Sequence, residues 1–280
     1  VIRIPDYIIY GLALIIVLGS IFGSNPREDA PEAEPPPFEV AAPEIPMGPE
    51  LGAPSPFDER VVVEIDEPSD GIGTAFAVGE RGVWVTARHV VEGCRRVGLE
   101  VGRGAVAPVK AVEIASYADL AVLRTGRAPT PLPLGLPDTL RVGTRGFHVG
   151  YPQGQEGEVV SQLLGRSTLV TRGQASREEL ILTWAETGRT RGLIGSLGGM
   201  SGGPVFDAAG RVIGVTLAES PRRGRIYTAD PSLISRLLQD EVLASAPNPV
   251  GPFDSLNYGQ EADRLRRERA VVKVVCRVTE

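Results

Sequence analysis

Three short segments hold side chains whose types and order could carry out nucleophilic chemistry. The first is Thr86-Ala87-Arg88-His89-Val90-Val91, at the end of an apolar run. The second is Tyr117-Ala118-Asp119-Leu120-Ala121-Val122-Leu123, where one acid opens an apolar strand. The third is Gly198-Gly199-Met200-Ser201-Gly202-Gly203-Pro204. A serine hydroxyl is a poor nucleophile at neutral pH and needs a base within hydrogen-bond reach. Imidazole, which titrates near neutrality, is the usual base. A carboxylate beside it holds the correct tautomer and stabilises the imidazolium that forms. Glycines around Ser201 let the backbone turn tightly. The amides of Gly199 and Ser201 can then point at one spot, where a tetrahedral oxyanion would form. Alone, each segment is modest, because a lone His is usually structural and a lone Asp before a strand is usually a turn residue. Their joint order and spacing are far more specific.

Gly199–Gly203 also fits G-x-S-x-G, the nucleophile elbow of α/β-hydrolases, in which the order is Ser, acid, His. No His follows Ser201, so that assignment fails. The order His89, Asp119, Ser201 is the one found in chymotrypsin. The glycine-rich stretch is not a phosphate loop, because no Gly-Lys-Ser/Thr occurs. Two His (His89 and His148) exclude most His-built metal sites, and two Cys exclude a four-cysteine zinc module. No metal and no cofactor is expected. A net charge of −6 argues against a nucleic-acid partner.

The elements that must position these residues are short and β-like. From Arg60 onward, β-type runs alternate with Gly/Pro/Asp turns: 61–65, 73–78, 83–87, 120–124, 145–150, 180–184, 204–207 and 211–217. With 34 Gly and 24 Pro a mostly helical chain is excluded, and an all-β barrel or sandwich is predicted. Helical periodicity is clear at 231–239, where Asp230-Pro231-Ser232 marks the start, and at 261–270, which reads as a charged surface helix. Segment 270–278 alternates weakly and reads as a strand.

Upstream the composition is different. Ile8–Phe22 is strongly apolar and no charge occurs from Tyr7 to Pro26. A membrane span needs about 20 apolar residues. Segment 1–23 is therefore expected to be either an uncleaved transmembrane anchor or a cleaved signal. Arg3 on the short side favours that end in the cytoplasm, with the bulk of the chain on the periplasmic or extracytoplasmic side of the inner membrane. Segment 24–57 has ten Pro and seven acidic residues against Arg27 alone, so it carries the whole net charge. It reads as a Pro/Glu-rich disordered linker, semi-extended at about 3.1 Å per residue where it is polyproline II. The remainder is charge-neutral.

The chain from about Gly71 to Leu238 resembles the trypsin-like serine proteases of the bacterial HtrA (Do-like) type. Beyond the three segments above, Gly71-Ile72-Gly73-Thr74-Ala75-Phe76 looks like the G-x-G-[ST]-x-F strand of that type. Asp119-Leu120-Ala121-Val122-Leu123 matches its D-L-A-[VL]-[LI] signature, and Val149-Gly150-Tyr151-Pro152-Gln153-Gly154 is similar to its Pro-Gly turn. Gly210-Arg211-Val212-Ile213-Gly214-Val215 matches the strand after the serine. The resemblance implies an all-β, chymotrypsin-like double β-barrel at 58–240, followed by a C-terminal extension, 241–280, with a short helix and strand. It implies a serine endopeptidase acting on protein or peptide substrates, with Ser201 as nucleophile, His89 as base and acid, Asp119 as orienting carboxylate, and the Gly199 and Ser201 amides as oxyanion hole. A binding or scaffold module that kept the barrels and lost turnover is the alternative.

The same resemblance lines the primary pocket with Gly195, Ser196, Thr216, Leu217, Ala218 and Tyr227. No acid occupies 192–198, so a preference for a small or medium apolar side chain is expected. The edge near Leu217–Glu219 could pair with substrate as an added strand. Thr216 either offers its hydroxyl to Asp119 or is an ordinary strand residue. Met200 replaces the Asn of the type and the Asp of digestive trypsins, and cannot pair with a newly cut N-terminus. Arg88 stands where a small residue is usual. From Asp240 only about 40 residues remain, too few for a PDZ module. Relatives of this type are often trimers, but no trimer interface is identifiable here. His148 is expected to be structural. Cys94 and Cys276 could be two buried thiols or a disulfide, which an extracytoplasmic site permits.

Overall fold

The computed structural model describes residues 47–279, apart from 65–66, 80, 103, 138, 173–175, 242 and 244–249. The expected membrane segment 1–23 and most of the linker lie outside these residues. Among the described residues no helix is long and apolar enough to cross a membrane.

The architecture is two seven-stranded sheets with few helices. One sheet holds β1 (Glu59–Glu64), β8 (Arg145–Gly150), β9 (Gly157–Arg172), β10 (Arg177–Arg189), β11 (Pro204–Phe206), β12 (Val212–Ser220) and β13 (Arg225–Ala229). Its order is β1-β9-β10-β13-β12-β11-β8, and β8 also pairs with β9, which closes six strands into a barrel with β1 added in parallel on β9. Alternating apolar positions fill the barrel: Leu163, Leu182, Trp184, Val205, Ile213 and Ile226 form its centre together with Met200. Trp184 is fully buried, and its indole N–H donates to Thr228 Oγ1 at 2.9 Å, which removes the penalty for burying that donor.

The other sheet holds β2 (Gly71–Gly79), β3 (Val83–Ala87), β4 (Arg96–Gly102), β5 (Ala105–Pro108), β6 (Ala111–Ile114), β7 (Leu120–Arg124) and β14 (Val271–Arg277). Its order is β5-β4-β14-β2-β3-β7-β6. The C-terminal strand is thus not an appendage. β14 lies between β2 and β4, bonded antiparallel to both, with Val271, Val272, Val274 and Cys276 buried. A domain ending at 240 would leave a gap in the middle of this sheet, so the boundary drawn from sequence is corrected: 271–277 belongs to the same folded body as β2 and β4.

Two other boundaries move. Residues 47–51, assigned to the linker, pack on the barrel: Gly48 N donates to Val142 O, and Leu51 N donates to Leu140 O, both at 2.8 Å. The helix expected at 261–270 is α3 (Tyr258–Arg267), after the short α1 (Arg88–Val91) and α2 (Pro231–Leu237). It is not a plain surface helix, since Ala262, Leu265 and Arg266 are buried. Arg266 forms an ion pair with the buried Glu158 of β9 and donates to Gly150 O (3.1 Å) and Gly157 O (2.8 Å). Asp230 caps α2, accepting from Ser232 N at 3.0 Å, and it also forms an ion pair with Arg166.

Candidate active site

β3 ends at Ala87, and the chain turns directly into α1, which carries His89. β7 pairs with β3 in the register Ala87↔Leu120, and this puts Asp119, the residue before β7, beside the first turn of α1. Three contacts fix the pair. Arg88 N donates to Asp119 O at 3.2 Å, His89 N donates to Asp119 Oδ1 at 2.9 Å, and His89 Nδ1 lies 2.7 Å from Asp119 Oδ2. A carboxylate only accepts, so Nδ1 carries the proton and Nε2 keeps a free lone pair. Burial lowers the pKa of the imidazole. The charge and hydrogen bond of Asp119, aided by Glu179 and Glu92, outweigh that and hold it above the ordinary histidine value. Arg88, which sequence reasoning left without a role, bonds Glu92 through Nε (2.7 Å) and Ala115 O through Nη1 (3.3 Å). It fastens α1 to the loop that presents Asp119.

The serine loop runs from Leu197 to Gly203, and its amides are used selectively. Leu197 N donates to Glu219 Oε1, Gly198 N to Ser196 Oγ, Met200 N to Leu197 O, Gly202 N to Thr216 O and Gly203 N to Met200 O. Among the described residues, Gly199 N and Ser201 N donate to none of the hydrogen-bonding groups. The carbonyl of Gly198 is turned away, accepting from Gln153 N at 2.6 Å, so the Gly199 N–H of the same trans peptide faces the opposite side. Gly199 has φ +97°, and a Cβ there would lie 2.5 Å from Tyr151 O. Gly202 has φ +85°, and a Cβ would meet Thr74 O at 2.2 Å. Both positions require glycine. Met200 is fully buried in the barrel core.

Thr74, from the other sheet, anchors this loop: its amide donates to Ser201 O (2.8 Å) and its hydroxyl to Gly199 O (2.8 Å). Ser201 Oγ itself donates to Leu217 O at 3.2 Å. Leu217 sits at the register shift between Thr216 and Ala218 where β12 pairs with β13, and past Val215 the opposite edge of β12 is no longer paired with β11.

Of the expected pocket residues, Ser196 is tied to that edge through Glu219, and Tyr227 pairs with Ala218. Glu219 reaches from β12 to accept from Ser196 Oγ (2.5 Å) and Leu197 N (2.6 Å), while the carbonyl of Gly195 accepts from Arg189. Tyr227 is buried beside Ala218. Thr216 does not reach Asp119; its hydroxyl is 3.1 Å from His148 Nδ1, and His148 Nε2 is 2.7 Å from Ser161 Oγ. Burial drives the His148 pKa down to about 3, which leaves it a neutral structural side chain. Cys94, just after α1, is bonded to Cys276 of β14. Sequence reasoning missed Glu179 and gave no role to Thr74, which lay in a quoted strand motif; it placed Glu219 on a substrate-pairing edge without foreseeing its side-chain bonds to Ser196 and Leu197.

The trypsin-like peptidase domain family matches residues 73–215. The chain belongs to this family. Residues 166 in number align at 30% identity with the putative serine protease HhoB of Synechocystis sp., covering 58% of this chain and 38% of that protein. The probable periplasmic serine endoprotease DegP-like of Chlamydia trachomatis is 29% identical over 61% of this chain and 34% of its own length. The chain therefore spans little more than a third of these relatives. The active form of the Rv3671c protease from M. tuberculosis covers 71% of this chain and 95% of its own at 18% identity and a TM-score of 0.50. That likeness bears on the fold alone. The trypsin-like domain carries the paired His89 and Asp119 on one sheet and Ser201 on a loop of the other.

Proposed function

We propose that the chain is a serine endopeptidase that cleaves peptide bonds in extracytoplasmic proteins. The observation that carries this reading is the selective freedom of the Gly199 and Ser201 amides within a loop whose other amides are engaged. A substrate carbonyl at Ser201 would find both donors preorganised for the charge that develops on its oxygen. Ser201 Oγ attacks that carbon and passes its proton to His89 Nε2, while Asp119 stabilises the imidazolium. His89 then protonates the departing amine, which leaves an acyl-enzyme. Water, deprotonated by His89, attacks the acyl carbon and releases the carboxyl product together with Ser201. The rotation of Ser201 Oγ from Leu217 O to His89 precedes the first step; loose catalytic hydrogen bonds are common without substrate.

Substrate binding follows from the free edge of β12, which accepts an extended peptide as an added strand. Glu219 crosses between the segments that flank the serine. It narrows the space for the side chain preceding the cut and disfavours an acidic one. The Cys94–Cys276 bond is consistent with an oxidising compartment, outside the inner membrane and tethered or released through segment 1–23.

The second reading, a binding module without turnover, is favoured by one observation, the Ser201–Leu217 bond. A fluorophosphonate probe separates the two. Labelling of the wild type at Ser201, together with casein cleavage abolished by Ser201→Ala, is expected. A folded protein that stays unlabelled and cleaves nothing would overturn the endopeptidase reading in favour of the binding module.

A further inference from the structure

A second carboxyl group, that of Glu179, touches the proposed triad directly. It stands near the start of β10, two residues before the first register pair with β13, Ile181↔Ala229. Glu179 is buried. Its Oε2 accepts from the backbone N–H of Asp119 at 2.7 Å, across the boundary between the two sheets. Its Oε1 is buried and has no partner among the described residues. A buried polar atom without a partner is costly, and a carboxyl group more so than most. A leucine or valine at this position of a strand would avoid that cost. What the carboxyl group does here is hold the amide of the residue whose own carboxylate orients His89.

We propose that Glu179 is a positioning residue that acts on His89 through Asp119, and that its charge state tunes the basicity of the catalytic imidazole. This rests on the endopeptidase reading of the site. The groups facing Glu179 are Asp119 ahead of β7, His89 and Arg88 on α1, and Arg177 on β10 itself. Burial first, and the charge of Asp119 second, push its pKa up to about 7, against the pull of the Asp119 amide, Arg177 and His89. Glu179 therefore changes charge close to neutrality. When ionised it joins Asp119 in favouring the imidazolium form of His89. When protonated it withdraws that support but keeps an oxygen on the Asp119 amide. The coupling is reciprocal: His89 protonation favours Glu179 ionisation.

The test is the pH dependence of fluorophosphonate labelling in the full chain, which reads the fraction of His89 able to act as base. Glu179→Gln keeps an oxygen for the Asp119 amide and cannot carry charge. It is expected to shift the acid limb of the labelling rate to lower pH by about half a unit or more, the effect of removing one nearby charge. Glu179→Ala also strands the Asp119 amide and is expected to lower kcat on a peptide substrate about tenfold with KM little changed, because Glu179 does not touch substrate. An acid limb for Glu179→Gln that superimposes on that of the wild type would overturn the proposal, even if Glu179→Ala fails to fold. Failure of the wild type to label at all would instead overturn the endopeptidase reading, so the two outcomes are distinct.

Discussion

Breaking the Cys94–Cys276 bond should cost more than an average disulfide, because of where it closes the chain. The two residues are 182 positions apart, and their Cα atoms lie 5.5 Å from each other. In the unfolded chain the bond closes a loop spanning both sheets. The chain-entropy relation for a loop of that length corresponds to about 5 kcal/mol, at the upper end of the range for native bridges. Side-chain packing adds a smaller share, because Cys276 is buried but Cys94 is only half-buried. Double replacement by Ala should therefore lower unfolding stability by about 3–5 kcal/mol. The measurement is urea unfolding of the wild type, the two single variants and the double variant, with tryptophan fluorescence reporting on Trp84 and Trp184. Either single change breaks the same bond, so each should cost nearly as much as the pair, a strong departure from additivity. β14 also has backbone bonds to β2 and β4, so the variants should still fold and label. A loss below about 1 kcal/mol, or additive single effects, would refute the loop-closure reasoning.

Asp119→Asn would present an N–H group or a weak acceptor to His89 Nδ1, giving the wrong tautomer; a loss of about 10⁴ in kcat is expected, and near-normal peptide hydrolysis would count against the assigned orienting role. Arg266→Met strands Glu158 as a buried charge and should destabilise by about 3–5 kcal/mol, while Arg266→Met with Glu158→Gln should recover much of that; thermal unfolding of the three proteins decides. The Glu179 carboxyl group, raised from 4.5 to about 7, favours its neutral form in the fold. The wild type should thus lose stability relative to Glu179→Gln as pH rises from 4.5 to 7, by about 3 kcal/mol in full. Equal stability gaps at pH 4 and pH 8 would contradict it.

What the amino-acid order makes legible is local. His89 follows β3 and Asp119 precedes β7, two short strands that are continuous apolar runs, and Ser201 lies in a glycine-rich loop just before β11, so the local context of each can be read from its neighbours. Met200 is legible as unable to meet a charged N-terminus, and its burial in the barrel agrees with its chemistry. Glu179 is different: an acid in Arg177-Glu178-Glu179 at a strand start looks solvated, and only Asp119, 60 positions away, makes its burial intelligible. Arg266 sits in a run of charges that reads as a surface face. Its counterion Glu158 and the carbonyls of Gly150 and Gly157 are more than 100 positions upstream. Periodicity identifies 270–278 as a strand but says nothing about which edge it will join.

These long-range features change what counts as the smallest working unit. A chain cut after α2 would retain all three catalytic candidates, yet it would lose the strand between β2 and β4 and leave two facing edges unpaired inside one sheet. β2 carries Thr74, whose amide and hydroxyl hold Ser201 O and Gly199 O. β4 follows the loop whose Cys94 is tied to β14. Loss of β14 would therefore act first on the strand that anchors the serine loop and then on the segment that follows His89. The same cut removes Arg266, leaving Glu158 buried without its cation and Gly150 O without the guanidinium donor, close to the turn that receives Gly198 O. The C-terminal extension thus reaches the proposed oxyanion loop from both sheets, although it contributes no residue to the chemistry.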